Sequence, residues 1–216
     1  MHSQIGGPCA KALESLTQPQ ITFLQNLPKA ELHAHLNGSI PVGILQEMAR
    51  GYAGRKTFDA SKSDVVERGI EQLLKGVELN EIDDFFGLFP AIYALTSDHV
   101  ALALATRAVL ESFLEGTSPQ CTYIELRSTP RATEHMTRLE YVETVLNEID
   151  DINSKNQRTV AALIICLDRR MDSNVARECL DIAIDMKNIG RTIVGVDLCG
   201  DPTVRIHLIP LFCSEE

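Results

Sequence analysis

The chain lacks the apolar run that a membrane-spanning helix needs, because none of its segments approaches roughly 18 consecutive apolar residues. Its first twenty residues, MHSQIGGPCAKALESLTQPQ, also lack a basic segment followed by an apolar stretch, so we predict no signal peptide. These two absences predict a protein that has no membrane partner and works in the cytoplasm.

Cysteine patterns and excess positive charge are missing as well. Six cysteines are scattered without a C-x-x-C pair, which argues against a cysteine-built zinc site and against a disulfide framework. The 20 Lys and Arg residues are outnumbered by 30 Asp and Glu, giving a net charge of −10. Because that balance repels polyanions, we expect no nucleic-acid polymer as a partner. The net charge does not exclude a small anionic substrate that is bound by one or two arginines.

What is present is the composition and pattern of an α/β protein. Hydrophobic residues make up 44% of the 216 residues, enough for a sizeable core. Short apolar runs alternate with helical patterns, which predicts parallel strands covered by helices. Strands are predicted over 30–36, 121–127, 160–167 and 193–198, and helices over 63–95 (broken into two or three pieces), 100–114, 137–152 and 173–190. We divide the chain into a loose lead-in (1–20), one domain (21–204) and a tail (205–216).

The run ELHAHLNGS carries the sharpest chemical signal. In a strand, alternate side chains share a face, so His33 and His35 point the same way and can reach one metal ion, with zinc as the natural choice. The alternative is a pair of solvated or core histidines. The Asn37-Gly38 turn that follows favours the metal site, since barrel enzymes place their active sites at this end of the strands.

Several charged residues near the other strand ends have open interpretations. Glu125 and Arg127 share one face of the second strand, and we expect them to pair with each other. Arg131 and Arg170 are candidate anion ligands or plain surface residues. Asp197 is a candidate site residue or a loop cap at its strand end.

Four ordered motifs make a family resemblance definite: ELHAHLNGS, IELRSTPR, LDRR and VDLCGDPTV, each at the end of a predicted strand. In order and spacing they resemble the motifs of the adenosine deaminase family, and their residues are most similar to those of the N6-methyl-AMP deaminases. The resemblance implies a TIM (β/α)8 barrel of which this chain holds strands one to four. It also implies a monomeric full-length enzyme that uses Zn²⁺ to deaminate adenosine-type purine nucleotides hydrolytically, N6-methyl-AMP to IMP or adenosine to inosine.

The resemblance also implies roles for individual residues. His33 and His35 would bind zinc, and His35 would border the substrate. Asn37 stands where adenosine deaminases carry an Asp that contacts the ribose 5′-hydroxyl, and its neutral amide suits a 5′-phosphate. The remaining implied substrate-binding residues are Ser128, Thr129, Pro130 and Arg131 around the phosphate, Asp168 on the substrate, and Gly200 beside the purine.

The chain departs from the family pattern in two places. Tyr93 falls where the related deaminases lead us to expect a substrate-facing His. No His-x-x-Glu segment follows the fourth motif, and His207 is followed by Leu208-Ile209-Pro210, so we assign no catalytic residue. We therefore expect the chain as written to be catalytically silent. The alternatives are an inactive truncated fragment and a barrel phosphoesterase or amidohydrolase that also opens with His-x-His.

Overall fold

The computed structural model describes residues 7–52, 60–76, 82–116, 119–155 and 158–200. The predicted tail, Asp201 and His207 lie outside the described residues. In chain order the elements are α1 (Gly7–Glu14), α2 (Gln18–Asn26), β1 (Ala30–His35), a 3₁₀ turn (Leu36–Gly38), α3 (Val42–Tyr52), α4 (Ala60–Lys75), α5 (Ile82–Gly87), α6 (Phe89–Leu95), α7 (His99–Leu114), β2 (Tyr123–Ser128), α8 (Arg138–Lys155), β3 (Val160–Asp168), α9 (Ser173–Asn188) and β4 (Ile193–Cys199). None of the described helices is long and apolar enough to cross a membrane.

The four strands form one sheet in the order β1-β2-β3-β4, and every neighbouring pair is parallel. Parallel neighbours need a crossover connection, and helices provide it: α8 joins β2 to β3, and α9 joins β3 to β4. The predicted α/β class and four parallel strands are confirmed. The predicted long helical stretch is indeed divided, into α4, α5 and α6.

Strand β3 is the centre of the core. Its seven consecutive residues from Ala161 to Leu167 are buried, the pattern of a parallel strand covered on both faces. Helix α8 packs against this strand through one apolar stripe. The four residues predicted for that stripe are all buried: Val142, Val145, Leu146 and Ile149.

The two outer strands are the edges of the described sheet. Val194 and Val196 on β4 are 46% and 47% exposed, and Leu32 on β1 is 51% exposed. Leu32 is therefore not covered by helices of the described structure. Within the described part of the chain, β1 and β4 each pair with one other strand. These edges are where an eight-stranded barrel would continue.

Two segments are more ordered than the sequence analysis expected. The supposed loose lead-in contains α1 and the start of α2, and none of the residues of α2 is buried. Helix α2 begins there because the Gln20 side-chain Oε1 accepts hydrogen bonds from the backbone N–H and the hydroxyl of Thr17, both at 2.8 Å. Helix α3 was not predicted, although Leu45 and Ala49, four residues apart, form its buried stripe.

Helices α4 and α6 approach each other at Gly69. A Cβ built at Gly69 would lie 2.6 Å from the Cβ of Ala91, which is too close for two carbon atoms. We predict that Gly69→Ala lowers the free energy of unfolding by about 1–3 kcal/mol through overpacking. Gly51→Ala is the matched control, since nothing lies within 4 Å of a Cβ there, and it should stabilise α3 by up to about 1 kcal/mol. Urea unfolding measures both, and equal effects would contradict the close packing.

Candidate active site at the strand ends

Because the strands are parallel, their carboxyl ends meet at one edge of the sheet, and a cavity of about 290 Å³ lies there. Six of the residues predicted to form the site line this cavity together: His35, Asn37, Ser128, Thr129, Arg131 and Asp168. Pro130 is buried and does not line it. Leu36, Phe89, Tyr93, Arg127, Arg170 and Met171 complete the walls. The size suits a small ligand rather than a polymer.

The two predicted metal ligands lie side by side at the end of β1, with their ring centroids 5.2 Å apart. The Glu31 carboxylate accepts a hydrogen bond from the backbone N–H of His33 at 2.8 Å, where the pairing of β1 with β2 is irregular. Desolvation lowers the pKa of His35, and the nearby His33 and Arg127 lower it further, although His35 remains accessible to solvent. A lowered pKa favours the neutral imidazole that a metal ion needs.

The described residues contain no group of three His, Cys, Asp or Glu side chains placed to hold a metal ion. A zinc shell normally has four ligands, of which the histidine pair would supply two. In donor type and spacing the pair fits zinc, and it offers half of that shell.

The Arg127 side chain contacts both β1 and β4, and its ion-pair partner differs from the one we expected. Its guanidinium pairs with Asp197 on β4 at 2.5 Å and also donates to the backbone carbonyl of Leu32 on β1 at 3.1 and 3.3 Å. Glu125 instead accepts a hydrogen bond from the Tyr123 hydroxyl at 2.8 Å. The expected Glu125–Arg127 pair was wrong because the Arg127 side chain reaches Asp197, two strands away.

Asn37 sits in a polar network that fixes the orientation of its amide. Its Nδ2 donates to the Thr96 hydroxyl oxygen at 3.3 Å, and its Oδ1 accepts a long hydrogen bond from the Tyr141 hydroxyl at 3.5 Å. Tyr141 also contacts the Ser128 hydroxyl at 2.8 Å. Thr96, Ser128 and Tyr141 are all buried, so these polar groups depend on one another for hydrogen bonds.

Arg131 joins the same network through Thr96. One terminal nitrogen donates to the Thr96 hydroxyl oxygen at 3.0 Å, and the guanidinium carbon lies 3.9 Å from the centroid of the Tyr93 ring. Its Nε is buried and has no hydrogen-bond partner among the described residues. Arg131 lines the cavity, and its guanidinium has no carboxylate partner among the described residues.

Asp168, at the end of β3, is paired with Arg170, whose role the sequence left undecided. Arg170 donates two side-chain hydrogen bonds to the carboxylate, at 2.8 and 2.6 Å, and one from its backbone N–H at 2.9 Å. These bonds hold the pKa of Asp168 below its ordinary value. Gly200, with φ at +96°, comes so close that a Cβ there would lie 2.8 Å from the carboxylate oxygen. Gly200 therefore lies against Asp168, and its predicted place beside the purine stays a prediction.

Sequence reasoning missed two residues of the network. Thr96 follows the last residue of α6 in a segment that leads to Asp98, which caps α7 by accepting from the backbone N–H of Ala101 at 2.9 Å. Tyr141 sits on the buried face of α8, and no local pattern connects it with Asn37. A hydroxyl within an apolar helical stripe was the one available signal.

Comparisons with known proteins agree with this geometry. The family model described as adenosine deaminase matches residues 28–212, which extends past the boundary we predicted at residue 204. The chain is 33% identical over 185 residues to the human N6-methyl-AMP deaminase, covering 84% of this chain and 48% of that protein. It is 32% identical over 208 residues to the N6-mAMP deaminase of Arabidopsis thaliana, covering 84% and 54%.

Solved structures give the same result. The apo structure of the Arabidopsis thaliana N6-methyl-AMP deaminase matches with a TM-score of 0.66 and 33% identity, over 86% of this chain and 52% of that one. The Arabidopsis protein complexed with IMP matches with a TM-score of 0.67 and 30% identity, over 87% and 54%. The chain thus spans about half the length of the relatives it matches. With the family model matched over most of its residues, this chain belongs to the adenosine deaminase family.

Proposed function

We propose that the protein acts in the hydrolytic deamination of a purine nucleoside 5′-monophosphate that carries a 6-amino or 6-methylamino group. The observation that carries this proposal is one cavity lined by both a neutral Asn37 and an Arg131 that has no carboxylate partner among the described residues. An arginine can offer a planar set of donors to phosphate oxygens, and the amide beside it adds no repelling charge. The names of the relatives, N6-methyl-AMP deaminase, and the IMP bound to one of them support the same substrate class.

In this proposal each side of the cavity has its own role. Ser128, Thr129 and Arg131 receive the phosphate, with Pro130 fixing the backbone between them. Asp168 contacts the nucleoside, which requires the Arg170 side chain to share or release it. Gly200 keeps the strand end open for the purine.

His33 and His35 would hold a zinc ion at the end of β1, next to this cavity. Zinc, when bound, supplies Lewis-acid activation of the attacking water. The remaining zinc ligands and the general acid or base are not assigned to any described residue.

Metal binding provides the first test. His33→Ala and His35→Ala should each lower the affinity of the chain for Zn²⁺ by on the order of tenfold or more, because each removes a ligand rather than a supporting contact. Competition with a chromophoric chelator measures that affinity. His99→Ala is the control, since His99 contacts Thr144 on the outer helices. An unchanged affinity in both strand variants would contradict the metal site.

Phosphate recognition provides the second test. The chain should bind AMP and N6-methyl-AMP more tightly than adenosine, and Arg131→Ala should remove most of that difference. Loss of a charged hydrogen bond costs about 1.5–3 kcal/mol, or about 10- to 150-fold in affinity. Isothermal titration calorimetry measures both ligands. Arg107→Ala is the control because Arg107 pairs with Glu148 outside the cavity. Equal losses for AMP and adenosine would show that Arg131 does not contact phosphate.

The neutral amide provides the third test. Thr96 donates its only proton to the backbone carbonyl of Ile92 at 2.9 Å, so it can accept from the Asn37 amide but cannot donate to a carboxylate at that position. A carboxylate there would also repel the phosphate. We predict that Asn37→Asp weakens AMP binding by on the order of tenfold and leaves adenosine binding nearly unchanged. Asn147→Asp, beside Arg191 on the outer surface, is the matched control. Calorimetry measures the affinities for AMP and adenosine, and an unchanged AMP affinity in Asn37→Asp would contradict a role for the neutral amide.

A further inference from the structure

We propose that Tyr93 is a positioning residue that holds the Arg131 guanidinium in place for a phosphate group. This inference rests on the proposed function and adds a residue to it. Tyr93 does so through the face of its ring, which lies 3.9 Å from the guanidinium carbon. A cation over an aromatic face at this distance is attracted by the ring quadrupole.

Two residues near the carboxyl end of α6 contact different parts of the Arg131 guanidinium. Tyr93 covers one face of the guanidinium, and Thr96, three residues later, accepts from one of its terminal nitrogens. Thr96 is fully buried and itself anchored to the carbonyl of Ile92. An arginine side chain that is held at both a face and an edge loses little further freedom when it binds a ligand. The guanidinium is then held at the wall of the cavity without a competing carboxylate among the described residues.

The Tyr93 ring is itself held by aromatic neighbours. Phe89 packs edge-on against it with the centroids 5.4 Å apart, and Phe85 packs edge-on against Phe89 at 5.2 Å. Edge-to-face pairs at these distances are favourable and fix the plane of the ring. The orientation of Tyr93 is therefore set by the protein before any ligand arrives.

The same geometry argues against direct purine stacking on Tyr93. One face of its ring is covered by Arg131, and the edge of Phe89 packs against it as well. Removal of the ring should therefore change phosphate recognition more than nucleoside recognition. Because Tyr93 is 36% exposed, its replacement leaves the core intact.

The test uses the whole 216-residue chain, with Tyr93→Phe to keep the ring face and Tyr93→Leu to remove it. Phe86→Leu is the matched control, since Phe86 belongs to the same aromatic group and is 58% exposed. Calorimetry gives the affinities for AMP and for adenosine. In parallel, NMR records the Arg131 Nε–H signal, identified by its loss in Arg131→Lys, which the Tyr93 ring current should move upfield.

We expect Tyr93→Leu to reduce the AMP-to-adenosine affinity ratio by on the order of tenfold and to abolish the upfield shift. Tyr93→Phe and Phe86→Leu should keep both the affinity ratio and the upfield shift of the unaltered chain. An unchanged ratio in Tyr93→Leu overturns the positioning role, as does a Tyr93→Phe variant that loses as much as Tyr93→Leu. If Tyr93→Leu does not fold, an Arg131 Nε–H signal without an upfield shift in the unaltered chain overturns it.

A wild-type chain with no preference for AMP over adenosine would refute the proposed function, and the role of Tyr93 in phosphate binding would fall with it. A wild-type preference that survives in Tyr93→Leu refutes the role of Tyr93 alone. The two failures are therefore distinguishable.

Discussion

Parallel pairing of β1 to β4 is the constraint on which the candidate site depends. It brings the carboxyl ends of all four strands to one edge, so residues more than 130 positions apart in the chain, such as His35 and Asp168, line one cavity. The buried β3 is what makes this pairing favourable, because its apolar side chains are covered on both faces. The polar residues of the site lie at the strand ends, where the sheet stops.

Within that frame, a single side chain connects both edges of the described sheet. Arg127 on β2 bonds the backbone of β1 and the carboxylate of Asp197 on β4. The contact with β1 falls at Leu32, within the stretch where the pairing of that strand is irregular, next to the histidine pair. Since the ion pair is largely shielded from solvent, loss of either partner would leave the other charge without compensation. Arg127 thus links the geometry of the metal-ligand strand to the opposite edge.

Apart from the Arg127–Asp197 ion pair, the charged side chains of the cavity fall into two groups. On one side, Asp168 is neutralised by Arg170 through paired hydrogen bonds. On the other, Arg131 has no carboxylate partner within the described part of the chain and is held by an aromatic ring and a hydroxyl. Because aromatic rings and hydroxyls do not cancel a positive charge, Arg131 keeps its attraction for an anion. Asn37, as an amide, completes this side without changing the charge.

The sequence by itself determined the α/β class, the four parallel strands and the buried stripe of α8, because periodicity reports on local structure, and its resemblance to a known family implied the six residues that line one cavity. It also indicated the family through four motifs. Tertiary structure alone decided the partner of Arg127, the pairing of Arg170 with Asp168, and the roles of Thr96 and Tyr141 beside Asn37. Apart from the pairing of Arg170 with Asp168, these contacts join residues between 59 and 104 positions apart. No local pattern records such a contact, since the fold, rather than residue spacing, determines which side chains meet.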